Sequence, residues 1–294
     1  MQSDFRHIAE DIRRQIDESL SSVGILFRVF ARGKSSESIE HKINSTPGKY
    51  SHGGKLIQDI IGVRVALYFL EDIPIVENLL KSKYSIDEIS SQIDKHDSNH
   101  FSVTRHNLVF KLPVDSADNF RRIAGERPLD ITFEVQLRSV LSEGWHEVEH
   151  DLRYKNKDHW QDHDDLSRAL NGVVATLQTS EWCMGKIFDE LSYRHYKNKN
   201  WAGMVSSLLK IRMKGSISKE LIKALNDDSN IAKQILKVDR FFLIKSLSNS
   251  KPRIPITIDN IIYFWNATGP KYNSLTALTP VLILETVDSM SQYK

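Results

Sequence analysis

The sequence predicts a sheet domain of the α/β or α+β class, followed by a mainly α-helical C-terminal region. Three observations predict it. Apolar runs of strand length alternate with helix-period segments as far as residue 155, the pattern of helices covering a sheet. From there on, helical spacing dominates. The charge also changes sign: residues 1–194 carry 25 Lys and Arg against 31 Asp and Glu, and residues 195–294 carry 15 against 7. The boundary is therefore placed at residue 195, with a first domain over 1–195 and a basic helical domain over 196–294.

Each element has a local reason. Ile8, Ile12, Ile16 and Leu20 recur every fourth residue behind a cap at Asp4, which is one face of an amphipathic helix. Gly24 ends it, and residues 25–31 read as a strand. Residues 38–43 suit a short helix, and the Pro47, Gly48, Gly53 and Gly54 stretch is a loop. Residues 63–70, rich in Val, Leu, Tyr and Phe, predict a central strand. Residues 73–80 read as a helix, 107–112 and 131–137 as strands. Residues 139–154 form a helix with Leu141, Trp145, Val148 and Leu152 on one face. In the C-terminal region, Met204, Leu208, Leu209 and Met213, then Leu221, Leu225, Ile231 and Ile235, keep helical rhythm around a Pro-containing break at 251–255. Trp201, Trp265 and Tyr272 are expected in the core or an interface, and Cys183 is expected to be buried.

Composition excludes several classes. With 40% hydrophobic and 27% charged residues, the 294-residue chain is not broadly disordered. A single cysteine excludes an internal disulfide framework and a multi-cysteine zinc site, and fits a reducing cytoplasm. The apolar stretch at 60–70 is broken by Arg64 and is too short to span a bilayer, so no membrane partner is expected. A net charge of +2 suggests no polyanionic partner, but the basic C-terminal region reopens that question.

Three clusters carry chemistry. In the first, Arg32, Lys34, Ser35, Ser38 and Lys42 lie on a loop and the helix it opens. Cations there, with helix N-terminal amides, suit a polyphosphate; a solvated basic turn has the same pattern. In the second, Asp59, Gly62 and Arg64 run into a strand. A carboxylate at a strand mouth suits a hard cation, or a structural Asp–Arg pair. In the third, Glu134, Gln136 and Arg138 alternate with Phe133, Val135 and Leu137. A polar face backed by a wholly apolar one reads as a cleft wall, or as a sheet face open to water. His146-Glu147-Val148-Glu149-His150 also satisfies the H-E-x-x-H zinc pattern, with Glu181 or Glu190 as third ligand, but that reading leaves the first two clusters unexplained.

In order and spacing these clusters resemble the RelA/SpoT-type nucleotidyltransferases, the alarmone synthetase family, in a short standalone or toxic form. The motifs are R-x-K-S-x-x-S-I-x-x-K (Arg32, Lys34, Ser35, Ser38, Ile39, Lys42), D-x-x-G-x-R (Asp59, Gly62, Arg64), E-x-Q-x-R (Glu134, Gln136, Arg138) and E-H-x-x-x-Y-K (Glu149, His150, Tyr154, Lys155). The resemblance implies an α+β fold, with a mixed β-sheet synthetase domain flanked by helices. It implies transfer of pyrophosphate from ATP to the 3′-hydroxyl of a guanosine nucleotide, with release of AMP. Arg32, Lys34, Ser38, Lys42 and Arg64 would grip ATP. Asp59 and Glu134 would hold Mg²⁺, with Glu134 as base and Gln136 beside it. Arg138, His150 and Lys155 would complete the acceptor side.

One family motif is irregular. Where the family has G-Y-x-S-x-H, with a Tyr that stacks on the acceptor base, this chain has Phe101, Ser102, Val103, Thr104, Arg105 and His106. Thr104 and His106 keep step, and Phe101 would stack if the loop bulges by one residue. The acceptor is therefore open between GDP, GTP, an adenosine nucleotide and, as in toxic family members, the 3′ end of tRNA. A non-catalytic sensing module is the alternative of another class. The basic C-terminal region would suit tRNA, an antitoxin or regulatory protein, or a second copy of the chain. Too little chain precedes residue 32 for the family's hydrolase domain, so synthesis without degradation is expected, and the tail is too short for the ribosome-binding region of the long members.

Overall fold

The computed structural model describes residues 5–94 and 106–292. The cap expected at Asp4 and the acceptor-loop residues Phe101 and Thr104 lie outside them. The elements are α1 (Phe5–Ser21), β1 (Phe27–Gly33), α2 (Ser36–Asn44), β2 (Ile61–Leu67), α3 (Ile73–Lys83), β3 (Ile86–Ile93), β4 (His106–Lys111), α4 (Val114–Ala124), β5 (Thr132–Ser139), α5 (Val140–Val148), α6 (Asp164–Lys197), α7 (Trp201–Leu209), α8 (Lys219–Asp227), α9 (Ser229–Ile235), α10 (Arg240–Ser248), α11 (Ile258–Thr268), α12 (Asn273–Thr276) and α13 (Val281–Gln292). They form two compact units. One takes Met1–Glu18, Phe27–Ile73 and Leu80–Glu181; the other takes Ser19–Leu26, Pro74–Leu79 and Trp182–Lys294. Residue 195 falls inside α6.

The first unit is built on a mixed five-stranded sheet of order β1-β2-β5-β4-β3. Among the described strands β2 and β5 pair in parallel and the other pairs are antiparallel. One face is apolar and buried: Phe133, Val135 and Leu137 of β5 lie with Leu108 and Phe110 of β4. Phe110 stacks on Phe133 at 5.5 Å between centroids, and Tyr84 meets Phe133 edge-on at 5.1 Å. Ile8, Ile12, Ile16 and Leu20 of α1 are all buried, as their spacing requires. Phe5 packs on Phe120 of α4 at 4.9 Å.

Two elements of the first unit are additional to those expected from the sequence. The outward pattern of β3 does not alternate, and its pairing with β4 shifts between Asp87 and Gln92. The Asp87 carboxylate accepts from the Ile89 and Ser90 amides across that irregularity, a typical edge-strand bulge. Helix α4 starts after Pro113 without a side-chain cap, so its start carries no signal beyond the proline.

The single helix expected over 139–154 is corrected. α5 ends at Val148, a π-helical turn spans Glu149–Arg153, and a 3-10 segment, broken at Asn156, spans Tyr154–Trp160. The expected apolar face is not a core face, because α5 buries no residue and Val148 and Leu152 are exposed. What anchors this region is Arg153, whose guanidinium lies 5.9 Å from the ring centroids of both Trp145 and Trp160 and donates to Asn171 at 2.9 Å.

The second unit is helical. Asn200, Ser218, Asp228, Asp239 and Thr257 each accept a backbone N–H from the first turn of α7 to α11 in turn, so short polar residues set where these helices start. Met204, Leu209, Leu221, Leu225, Ile231 and Ile235 are buried, with Ile244, Ile261 and Phe264. Leu208 and Met213 are half-buried, as are Trp265 and Tyr272, while Trp201 is in the core. The Cys183 expectation is overturned. The thiol is exposed, because Cys183 and its neighbour Trp182 face away from the packed side of α6. Among the described residues, no helix is long and apolar enough to cross a membrane.

Candidate active site

The polar face of the sheet carries the predicted residues in two rows. Register places Arg32 opposite Gly62 and Gly62 opposite Glu134. The next row is Phe30, Arg64 and Gln136, and Ala66 then pairs with Arg138. Side chains two apart on a strand share a face, so strand pairing alone brings three distant motifs together. Gly62 leaves a gap in the first row between Arg32 and Glu134.

The edge of the first row is closely built. Gly33 passes against the start of α1, where an added Cβ would lie 2.4 Å from the Arg6 nitrogen, so only glycine fits between Arg32 and Lys34. The Lys34 amide donates to the Ile60 carbonyl at 2.8 Å, joining this loop to the one that carries Asp59. Asp59 has φ 64, a left-handed conformation that Asp tolerates better than most residues. It accepts from Arg32 at 3.3 Å and Lys34 at 3.4 Å. Ser35 caps α2 by accepting from the Ser38 amide, and the two hydroxyls lie 3.0 Å apart. Lys42, one turn on, stands 5.8 Å from the Tyr50 ring. Ser38 and Lys42 are not among the residues that line the cleft described next.

A cleft of about 320 Å³ opens over the second row, lined by Phe30, Arg32, Arg64, Gln136, Glu147, His150, Asp151 and Lys155 together with small residues. At its rim the Asp151 carboxylate holds His150 Nδ1 at 2.9 Å and Lys155 Nζ at 2.7 Å. The Lys155 and His150 contacts draw the Asp151 carboxyl below its ordinary range. His106 begins β4, paired with Ile93.

Glu134 lies at the bottom of the polar face. Burial pushes its carboxyl above the ordinary range; the Gln136 amide, which donates to it at 3.2 Å, opposes this, and the facing Asp59 carboxylate adds to it. Two carboxylates thus compete for positive charge at one place. They are hard oxygen donors of the kind Mg²⁺ takes, one or two from protein with the rest from phosphates and water.

Two glutamates outside the four motifs organise the cations: Glu143, which the sequence reading did not single out, and Glu147, which it placed only in the zinc pattern. Glu143 accepts from Arg64 at 2.6 Å and from Arg138 at 3.0 Å, and Glu147 also accepts from Arg64. Burial works against the Arg64 charge, but Glu143 and Glu147 outweigh it and hold the guanidinium above its usual value. Arg138 goes the other way, lowered by burial and by Arg64. The available signal was two glutamates four apart, just after a strand that ends in arginine.

The zinc pattern does not fit. His146 is pushed down to about 4 by burial and by the Arg138 and Arg64 guanidinium groups, and its Nε2 has no hydrogen-bond partner among the described residues. Guanidinium groups beside that imidazole would repel a metal ion. Among the described residues no three His, Cys, Asp or Glu are grouped to hold one.

Glu181, its proposed third ligand, has another role. Only 7% exposed, it accepts from the Ser139 hydroxyl, and Ser139 in turn caps α5 by accepting from the Ser142 amide at 3.0 Å. Burial pushes its carboxyl from 4.5 up to about 7, against a pull from the Ser142 amide. Between those values the folded chain holds the proton and the unfolded chain has released it, so stability falls as pH rises through this window. The full shift corresponds to roughly 3 kcal/mol. Urea unfolding from pH 5 to 8 is expected to show this decline in wild type and a flatter profile in Glu181→Gln. Parallel profiles would refute the assignment.

Parts of the chain are similar to known proteins. Residues 31–159 match the family described as the region found in RelA/SpoT proteins. A curated relative, GTP pyrophosphokinase YjbM of Bacillus subtilis (strain 168), is 26% identical over 106 residues, covering 35% of this chain and 46% of the relative, so the chain spans less than half of that protein's length. Among solved structures, small alarmone synthetase 1 from Bacillus subtilis bound to pppGpp aligns over 64% of this chain and 94% of that one, at 21% identity and a TM-score of 0.48. A GTP pyrophosphokinase family protein from Streptococcus pneumoniae aligns over 64% and 90%, at 20% identity and a TM-score of 0.46. The segment that matches the RelA/SpoT family, residues 31–159, contains all four ordered motifs.

Proposed function

We propose that the chain is an ATP-dependent pyrophosphokinase that transfers the β,γ-pyrophosphate of ATP to the 3′-hydroxyl of a guanosine nucleotide and releases AMP. The observation that carries the reading is one sheet face on which Arg32, Lys34 and Arg64 stand beside the carboxylate pair Asp59 and Glu134. The name of the curated relative, GTP pyrophosphokinase, supports it.

Arg32 and Lys34 neutralise the donor phosphates, exchanging Asp59 for phosphate oxygens. The α2 N-terminus and Ser38 add neutral donors, and Lys42 waits one turn on. Asp59 and Glu134 would hold Mg²⁺, which supplies charge neutralisation at the phosphate oxygens when bound. Glu134, raised by burial, takes the proton of the acceptor hydroxyl as its oxygen attacks the β-phosphorus and the bond to the α-phosphate oxygen breaks. Gln136 fixes the Glu134 carboxylate by its hydrogen bond. Arg138, His106, His150 and Lys155 form the acceptor side, to which the sequence motif adds Phe101 and Thr104.

The test is an acceptor screen with labelled ATP and Mg²⁺. AMP release dependent on GDP or GTP is the expected result, and none with any acceptor would refute the reading. A second reading keeps the chemistry and places it on the 3′ end of tRNA, as in a toxin or antiphage effector. The 15 basic against 7 acidic residues of 195–294 favour it, since lysines and arginines neutralise a phosphate backbone. Label transfer to tRNA and not to GTP would decide for it.

A further inference from the structure

We infer that a groove of the second unit, lined by α10, α12 and α13, is a docking site for an acidic amphipathic helix of a partner protein. None of its residues lies within 31–159, so it stands or falls separately from the pyrophosphokinase reading.

Helix α10 is apolar on two sides. Leu243, Ile244 and Leu247 are buried within the unit. Phe241 and Phe242, on the remaining surface, are 37% and 51% exposed. A helix that is apolar all round is normally covered on every side, and here one side is open. Single exposed apolar residues are ordinary, so exposure alone says little. These two rings, however, line a groove of about 1250 Å³, to which α13 contributes Leu284, Val287 and Met290. An apolar wall inside a polar rim is the mark of an interaction surface.

The rim sets the charge of the partner. Lys245 of α10, Lys251 of the loop that follows it and Lys271 ahead of α12 line the groove and are exposed, and Asp288 is the one carboxylate among the described lining residues. Among the described residues, none of the three lysines is in an ion pair. Lys245 falls in the last turn of α10, where its charge also suits the helix end. That account does not extend to Lys271, which stands on a fixed turn. Lys271 has φ 57, and its amide donates to the Asn266 carbonyl at 3.0 Å. Asn266 is fully buried; its side chain accepts from the Tyr272 amide at 2.7 Å and donates to the Thr276 hydroxyl at 3.1 Å. The lysine is thus presented by a turn locked from within.

The form of the partner follows from what the unit offers. Its described residues hold no strand, so there is no sheet edge for an extended peptide to join, and a helix laid in the groove is the remaining common mode. A nucleic acid would use the lysines and the two rings but leave the aliphatic wall of α13 uncovered. An amphipathic helix uses both: apolar side chains at i, i+3, i+4 and i+7 meet the wall, and flanking Asp or Glu meet the lysines.

The test is selection of a displayed library of random 18-residue peptides on the full chain, followed by anisotropy titration of the enriched peptides. Enriched peptides are expected to be net acidic, with large apolar residues at helical spacing, and to weaken as salt rises. Phe242→Ser, and separately Lys251→Glu with Lys271→Glu, should each lower their affinity at least about tenfold. Both variants alter exposed side chains, and their melting temperatures should match wild type. Selection repeated on the double lysine variant should no longer favour acidic peptides. No enrichment on wild type would overturn the inference, as would enrichment of basic peptides or affinities that both variants leave unchanged. Binding of tRNA that both variants abolish, with no acidic peptide enriched, would assign the groove to nucleic acid and overturn it as well.

Discussion

Glu134→Gln is expected to lower acceptor-dependent AMP release about a thousandfold, within the range for loss of a positioned general base. The substitution is nearly isosteric. It keeps an oxygen to accept from Gln136 and removes a carboxylate that burial and Asp59 hold above its ordinary range. Stability at neutral pH should therefore hold or rise, which separates a chemical defect from a folding defect. Asp59→Ala should be equally inactive for a different reason. It removes the carboxylate that organises Arg32 and Lys34, so triphosphate binding should change along with turnover. Turnover of Glu134→Gln within tenfold of wild type would sink the assignment of Glu134 as base and the metal role with it.

The sheet face was legible in the sequence because strand geometry is strict. Glu134, Gln136 and Arg138 share a face by alternation, and the structure brings Arg32, Gly62 and Arg64 to the same face through the registers of β1, β2 and β5. The capped helices of the second unit were legible for a similar reason, since Leu221, Leu225, Ile231 and Ile235 had to point one way. The segment after β5 was not. A run of residues with helical spacing and apolar side chains looks like a core helix, but here the apolar positions Val148 and Leu152 face water and ion pairs hold the helix in place. Hydrophobic periodicity measures the tendency to bury, and it cannot register a helix anchored by its carboxylates.

Glu143→Ala is expected to cost roughly 3 kcal/mol, which for a chain of this size lowers the melting temperature by about 10 °C. The Glu143 side chain is 13% exposed and each oxygen serves a different arginine, Arg64 on β2 and Arg138 on β5. Removing it leaves two part-buried guanidinium groups that already repel each other, with Glu147 still paired to Arg64 and Arg138 without the carboxylate that holds it. The loss therefore comes from stranded charge more than from a missing bond. It follows that Arg138→Met in the Glu143→Ala background should restore part of the stability, although Arg138→Met alone should not stabilise the wild type to the same degree. Pyrophosphate should raise the melting temperature of Glu143→Ala more than that of wild type, because an anion then takes the place of the carboxylate between the two arginines. A Glu143→Ala chain that melts within 2 °C of wild type, or that gains no more from pyrophosphate, would mean that the two arginines are held by the sheet and not by α5.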